Sequence, residues 1–388
     1  MMGVAQPVAI FFLCSAVGLS PPGGATGQPP GPACRQWMEE AEAEREAGRL
    51  KESANLYRRA LACAPAWKEG WWGLGSVMYE MDQYAEAAVA FRRLTRLAGN
   101  RGDGYAMLGL CEARLGQDAA ALRHLAQGRK LGLRNDPAFA RVVWFNEGWL
   151  LLRQGQFAAA QERFESLVRD GVPARQIAFP LGASVLGVVP GGNAAEAAAL
   201  RTAVEAAGQA QYFAARKEIG PARQYWEAFL RNYGHLRNAH FAFGRFLLSI
   251  YDDDGAVKEF QAEVAQNPGH VLAHLGVAGT KAGQDPEFAL PYAEKAVKLA
   301  PRLGEAHFLL GMILLNLGNT GRAIAELETA RRLAPREAKV YFQLARAYMR
   351  AGRASDAASA RKVFEQLGGA AGEPASGPVA PGKDKSPQ

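Results

Sequence analysis

A small residue returns at a fixed place along this chain and limits what it can fold into. If Ala41 is taken as position 8 of a segment starting at Cys34, position 8 is Gly75 in a segment starting at Lys68 and Gly109 in one starting at Gly102, a spacing of 34 residues each time. The series continues at Gly148, Gly182, Ala210, Gly244, Gly276, Gly311 and Ala345, with segments starting at Arg141, Arg175, Ala203, Arg237, Pro268 or Gly269, Gly304 and Ala338. Ten small residues in ten copies point to a packing requirement. Where two antiparallel helices come close, only Gly or Ala leaves room for the opposite backbone.

The second half of each copy repeats as strictly. Position 20 is Ser53, Ala87, Ala121, Ala160, Ala222, Ala256, Ala289, Ala323 or Ala357. One helical turn further on the same face stands a large filler: Tyr57, Phe91, Leu125, Phe164, Trp226, Phe260 or Leu327. Between the halves lie Gly48, Gly116, Gly155, Gly318 and Gly352, suited to ending a helix, and Pro65, Pro268, Pro301 and Pro335 close the second half. Alanine, leucine, arginine and glutamate dominate and β-branched residues are sparse, so helix is favoured throughout.

In "WWGLGSVMYEMDQYAEAAVAF" (Trp71 to Phe91) and "HFLLGMILLNLGNTGRAIAEL" (His307 to Leu327) the pattern resembles the tetratricopeptide repeat. Trp37, Trp71, Tyr105, Trp144 and Tyr341 hold its aromatic position, and His240 and His307 stand there in two other copies. The resemblance covers about Cys34 to Leu367. It implies an all-α, right-handed superhelical solenoid of nine or ten helix-turn-helix units that bury one another.

The register departs from regularity in four places. Extra residues, "LGLRNDPAF", follow Lys130 and read as a longer loop. The copy at Arg175 is broken by "PGGN" (Pro190 to Asn193), and only 28 residues separate it from the next, so its second helix reads as short, degenerate or missing. In the eighth copy "GQDPEF" inserts a residue before Ala289, and in the last Arg361 replaces the filler, as a polar capping helix would. These divide the chain into a signal peptide (1–25), a Pro/Gly-rich linker (26–33), N-terminal repeats (34–174), an irregular segment (175–202), C-terminal repeats (203–368) and a Gly/Pro/Ala-rich disordered tail (369–388).

The apolar stretch Val8 to Leu19 spans twelve residues, short for a bilayer and of signal-peptide length, with small residues placed for cleavage after Ala25. No Lys or Arg precedes it, so a retained membrane anchor is the competing reading. Cys14 lacks the small residues before it that lipoprotein processing uses. Export to the periplasm or the extracellular space leaves Cys34, Cys63 and Cys111. Cys34 opens the first helix of its copy and Cys63 ends the second; the ends of antiparallel helices are neighbours, so a Cys34–Cys63 disulfide is expected in an oxidising compartment.

No catalytic constellation is present. "GNRGDG" (Gly99 to Gly104) lacks the Gly-Lys-Ser/Thr ending of a phosphate loop, and no nucleophile or acid/base pair stands in a recognisable motif. His270 and His274 are four apart but have no third ligand in register, so no metal or other cofactor is expected. Asp252 to Asp254 read as a turn capping a helix. The formal charge of +7 is spread over 388 residues with no run of four cations, which argues against a nucleic-acid partner. The family's carboxylate clamp is expected to be absent: Asn146 fills one slot, but Ala106 and Leu110 stand where its companions would be. The resemblance therefore implies a non-catalytic scaffold for protein or peptide partners. The alternatives are an enzyme or enzyme subunit with a site in Val172 to Ala215, and a membrane-tethered assembly factor. The family's concave face draws on positions 2, 5, 9, 12 and 13 of each first helix. Here those positions carry an aromatic stripe of Trp72, Phe145, Phe241, Phe308 and Phe342 with Trp149, Met312 and Met349, edged by Arg114, Arg153, Arg245, Arg346 and Arg350. That stripe would suit a segment with apolar anchors and acidic flanks.

Overall fold

A computed structural model describes residues 31–134, 136–190 and 194–368. The signal-peptide stretch, the tail from residue 369 and the residues 191–193 of the expected break lie outside them. The described residues form nineteen α-helices and no strand. In chain order these are α1 (Pro32–Glu46), α2 (Leu50–Cys63), α3 (Lys68–Glu80), α4 (Tyr84–Leu97), α5 (Gly102–Arg114), α6 (Asp118–Leu131), α7 (Pro137–Arg153), α8 (Phe157–Arg169), α9 (Ala174–Leu186) and α10 (Ala194–Ala215). They continue as α11 (Ile219–Tyr233), α12 (Ala239–Ser249), α13 (Asp253–Gln266), α14 (Val271–Lys281), α15 (Pro286–Leu299), α16 (Gly304–Asn316), α17 (Thr320–Leu333), α18 (Ala338–Arg350) and α19 (Ala354–Gln366). The chain divides within α11 into two compact units, one ending at Tyr225 and one starting at Trp226.

In five copies one contact locks the helix pair. A Cβ on Gly75 would lie 2.8 Å from the Phe91 ring, on Gly148 2.8 Å from Phe164, on Gly244 2.7 Å from Phe260 and on Gly311 2.7 Å from Leu327. Position 8 is small for two reasons: the position-24 filler of the same copy lies flat on it, and the opposite backbone comes close, with the Ala121 carbonyl oxygen 3.0 Å from a Cβ on Gly109 and that of Ala323 3.2 Å from one on Gly311. Ser53 adds a polar version in the first pair, donating to the Ala41 carbonyl at 2.7 Å. Backbone approach is tightest at α9 against α10, where a Cβ on Gly182, the position-8 residue of its copy, would lie 1.8 Å from the Val204 carbonyl oxygen and one on Gly208 1.8 Å from that of Ala178.

The turns explain the glycines between the halves. Gly48, Gly116, Gly155, Gly318 and Gly352 are left-handed, with φ between 71° and 78°. In the seventh copy that place falls to Tyr251, at φ 61°.

Four expectations need correction. The linker ends earlier than residue 33, because Pro32 already occupies the first turn of α1, where its missing N–H costs nothing. Of the extra residues after Lys130, Pro137 to Phe139 form the first turn of α7, capped by Asp136, whose carboxylate accepts from the Ala138 and Phe139 amides. The irregular segment contains a complete helix, α9. The second helix expected to be short or missing is instead fused to the first helix of the next copy as the 22-residue α10. In the eighth copy Gly276 does not hold position 8. It faces Phe260 of the preceding copy at 2.7 Å, as Gly73 at position 6 faces Tyr57, so Ala278, fully buried, takes position 8.

The locking contact predicts opposite outcomes for two glycines. Gly311→Ala should destabilise by about 1–3 kcal/mol through overpacking against Leu327. Gly321→Ala, where nothing lies within 4 Å, should stabilise by up to about 1 kcal/mol. Urea denaturation of the two variants checks both signs.

Candidate functional site

The residues of the expected stripe separate by unit. In the first, Trp72 is 1% exposed and packs edge-on against Phe91 with centroids 5.6 Å apart. Phe145 and Trp149 are also buried and stack on each other at 6.3 Å, with Phe164 and Phe179 alongside. Leu110, Leu152 and Leu186 on the same helix faces are buried too. Trp72, Phe145 and Trp149 are packed core and are corrected from partner contacts to structural residues, while Met38 and Phe179 at the same register are half-buried. In the second unit Phe308 is nearly buried, but Phe241, Met312, Phe342 and Arg346 are half-buried, Arg245 is exposed and Met349 is 56% exposed. The unit starting at Trp226 therefore keeps an accessible apolar and basic face on its first helices, with Phe342 resting against Phe364 at 5.5 Å.

The basic edge also divides. In five copies position 13 is tied to the copy before it. Arg45 donates to Glu80 at 3.1 Å, Arg153 pairs with Asp118 at 2.9 Å, and Arg114 reaches Asp82 at 3.9 Å while lying over the Tyr84 ring at 4.6 Å. In the second unit Asn316 donates to the Ala282 carbonyl at 3.0 Å and Arg350 to that of Leu315, satisfying carbonyls at the ends of the preceding first helices. Arg114 and Arg153 are thus junction residues and not a groove edge. Sequence reasoning missed this tie; its signal was the recurrence of a polar residue at position 13 over an acidic turn one copy earlier.

Position 4 carries a second tie. Trp71 donates to the Pro65 carbonyl at 2.8 Å, His307 Nε2 lies 3.0 Å from that of Pro301, and Tyr341 donates to that of Pro335 at 2.9 Å. His274 Nε2 lies 3.0 Å from the Pro268 carbonyl in the same way. A ring with a polar tip satisfies the carbonyl that the closing proline leaves at the junction.

The other candidates resolve into structure. His270 does not share a ligand set with His274. It caps α14: Nδ1 accepts from the Ala273 amide at 2.9 Å, which leaves the proton on Nε2 to donate to Asn238 Oδ1 at 2.7 Å. Asp252 caps α13 by accepting from Gly255 at 3.0 Å. Asn146 is buried and donates to the Val142 carbonyl of its own helix at 2.8 Å. Cys34 and Cys63 are joined as a disulfide, with Cα atoms 6.6 Å apart. Cys111 is buried in α5, and burial pushes its thiol up, away from reactivity. Among the described residues no cluster of three His, Cys, Asp or Glu could hold a metal, and no helix is long and apolar enough to cross a membrane.

Burial lowers the pKa of His270, with Arg237 and His274 acting in the same sense and Glu263 opposing. The unfolded chain binds the proton near the ordinary value, about 6.5, so this residue's stabilising effect is complete above that pH and is lost as pH falls below it. His270→Asn keeps a capping side chain without a titrating one. Thermal melts from pH 7.5 to 5 should show a steeper acid decline for the wild-type protein than for the variant; equal slopes would refute the assignment.

Residues 281–335 and 308–363 match the family model described as tetratricopeptide repeat. A curated relative, "Protein CTR9 homolog" of Arabidopsis thaliana, is 26% identical over 298 residues, which are 76% of this chain and 25% of that protein. The chain thus spans about a quarter of that relative's length. Among solved structures, a MamA from Desulfovibrio magneticus RS-1 aligns with TM-score 0.41 and 22% identity, over 43% of this chain and 94% of that one. A second, "YrrB: a TPR protein with an unusual peptide-binding site", aligns with TM-score 0.39 and 18% identity, over 45% of this chain and 92% of that one.

Proposed function

We propose that this chain, a tetratricopeptide-repeat protein, is a non-catalytic scaffold that holds a protein partner by an apolar segment laid along the first helices of residues 226–368. One observation carries the reading: the second unit keeps Phe241, Met312, Phe342 and Met349 of the stripe accessible, where Trp72, Phe145 and Trp149 of the first unit are buried as core. Apolar side chains cost free energy while they face water, and a partner's apolar segment would recover it. Half-buried aromatics held by their own helix partners are also preorganised, which lowers the entropy lost on binding.

The first unit is a packed helical array in its own right. Its exposed end is stitched by the Cys34–Cys63 disulfide, whose 29-residue separation gives a stabilisation of roughly 3.5 kcal/mol on a chain-entropy basis. A disulfide there supports the inference of export, since reducing compartments disfavour such bonds.

Substitutions on the two faces separate binding from folding. Met349→Asp, at an exposed site, should weaken capture of the protein that co-purifies with the mature chain by about 1–3 kcal/mol, with the melting temperature nearly unchanged. Trp72→Ala should cost about 3–5 kcal/mol of stability and leave capture by the folded fraction intact. If Met349→Asp leaves capture intact, the groove reading fails. Turnover of a small molecule by the purified chain would redirect the assignment to an enzyme.

A further inference from the structure

We propose that the segment held by the second unit is acidic, and that Arg346 and Arg350 receive its carboxylates beside Phe342 and Met349 on α18. This inference rests on the groove reading above and names the chemistry of the occupant.

The argument starts from arginines at the same register. Arg114 and Arg153, at position 13 of their copies, are neutralised by Asp82 and Asp118 in the turn region one copy earlier. Arg350 occupies the same position in the last copy, but the preceding turn there is Gly318-Asn319-Thr320 and offers no carboxylate. Its guanidinium makes do with the neutral Leu315 carbonyl, through one nitrogen. Arg346, one turn earlier on the same face, likewise meets a neutral group, donating to Gln343 Oε1 at 3.0 Å. Neither arginine has a carboxylate partner among the described residues. A guanidinium has five N–H donors arranged to grip a carboxylate by two at once, so most of this donor capacity is still open.

The surroundings agree in sign. Other cations nearby have acidic partners: Lys281 lies 2.7 Å from Asp254, and Lys339, on α18 itself, lies 2.6 Å from Glu305 with its ammonium 4.9 Å from the Phe308 ring. Between Arg331 and Gly368 the chain carries nine Lys and Arg against three Asp and Glu. Phe342, Arg346 and Arg350 follow one another at intervals of four, so they line up along one helix face with Met349 at its edge. Apolar anchors and cations thus alternate within two helical turns. A peptide fits this spacing if an Asp or Glu stands close in sequence to an aromatic or aliphatic anchor. Long-range attraction by the basic repeat would speed its encounter and make binding fall with salt.

Selection from a random peptide library displayed on phage, against the immobilised full chain, tests the chemistry without a known partner. The expected pool is enriched in peptides that pair Asp or Glu with an aromatic or aliphatic residue. Synthetic copies of the selected peptides should bind at least about tenfold more weakly to Arg346→Glu, and lose affinity as salt rises. The melting temperature of that variant should match the wild-type value. A pool of neutral or basic apolar peptides whose binding is lost in Met349→Asp but unchanged in Arg346→Glu would overturn the acidic class while leaving the groove. No enrichment at all would overturn both. Displacement of the selected peptides by an oligonucleotide at equal concentration would show that the arginines serve a nucleic-acid backbone and would overturn the proposal as well.

Discussion

The whole array depends on a bulky side chain lying flat on a glycine or alanine. Phe91 on Gly75, Phe164 on Gly148, Phe260 on Gly244 and Leu327 on Gly311 are the same contact repeated, each too close for one further carbon. This fixes how deeply the two helices of a pair interlock, and so sets which faces are left to meet the next pair. The same fillers also reach the first helix of the next copy, as Tyr57 meets Gly73 and Phe260 meets Gly276, so copies stack by nearest-neighbour contacts. The same logic explains how the eighth copy tolerates a shifted register: Gly276 accepts Phe260 from the preceding copy, and Ala278 moves into the place of the small residue.

The contact acts within a pair, and polar ties act between pairs. Position 13 reaches back to the preceding turn or helix end, and position 4 reaches back to the carbonyl of the closing proline. Each tie satisfies a backbone or carboxylate group that a helix terminus would otherwise leave without a partner. In the first unit these ties are mostly ion pairs over acidic turns, and the first-helix face between them is filled with Trp72, Phe145 and Trp149. In the second unit the ties from Asn316 and Arg350 go to carbonyls, and the corresponding face remains accessible. One repeat pattern thus yields a closed unit and an open one, depending on which residues occupy five positions of each first helix.

Much of this was legible in the sequence because it is periodic. The small residue at position 8, the filler at position 24 and the turn glycines repeat, and repetition turns a weak local preference into a strong joint constraint. What stayed hidden was not periodic. Nothing in "PGGNAAEAAALRTAVEAAGQAQYFAA" marks where one helix should end and another begin, because its alanines suit any face, and so the fused α10 was missed. The burial of Trp72 and the exposure of Met349 could not be read from register either. Both occupy positions assigned to one surface, and neighbouring copies decide how much of that surface remains. The roles of Arg114 and Arg153 were likewise invisible to a reading of single helices, since their partners lie one copy away.

The central claim is that the position-8 to position-24 contact builds the fold, and a double-mutant cycle at Gly311 and Leu327 measures it most directly. Leu327→Ala removes the nearest group that a Cβ on Gly311 would meet and leaves the Ala323 carbonyl oxygen at 3.2 Å. The account predicts that Gly311→Ala, destabilising in the wild-type background, becomes neutral or stabilising once residue 327 is alanine, with a coupling energy of about 1–3 kcal/mol. Urea denaturation of the two single variants and the double variant gives this value. Additive effects, with no coupling, would show that the small residue at position 8 is required for some other reason and would contradict the account.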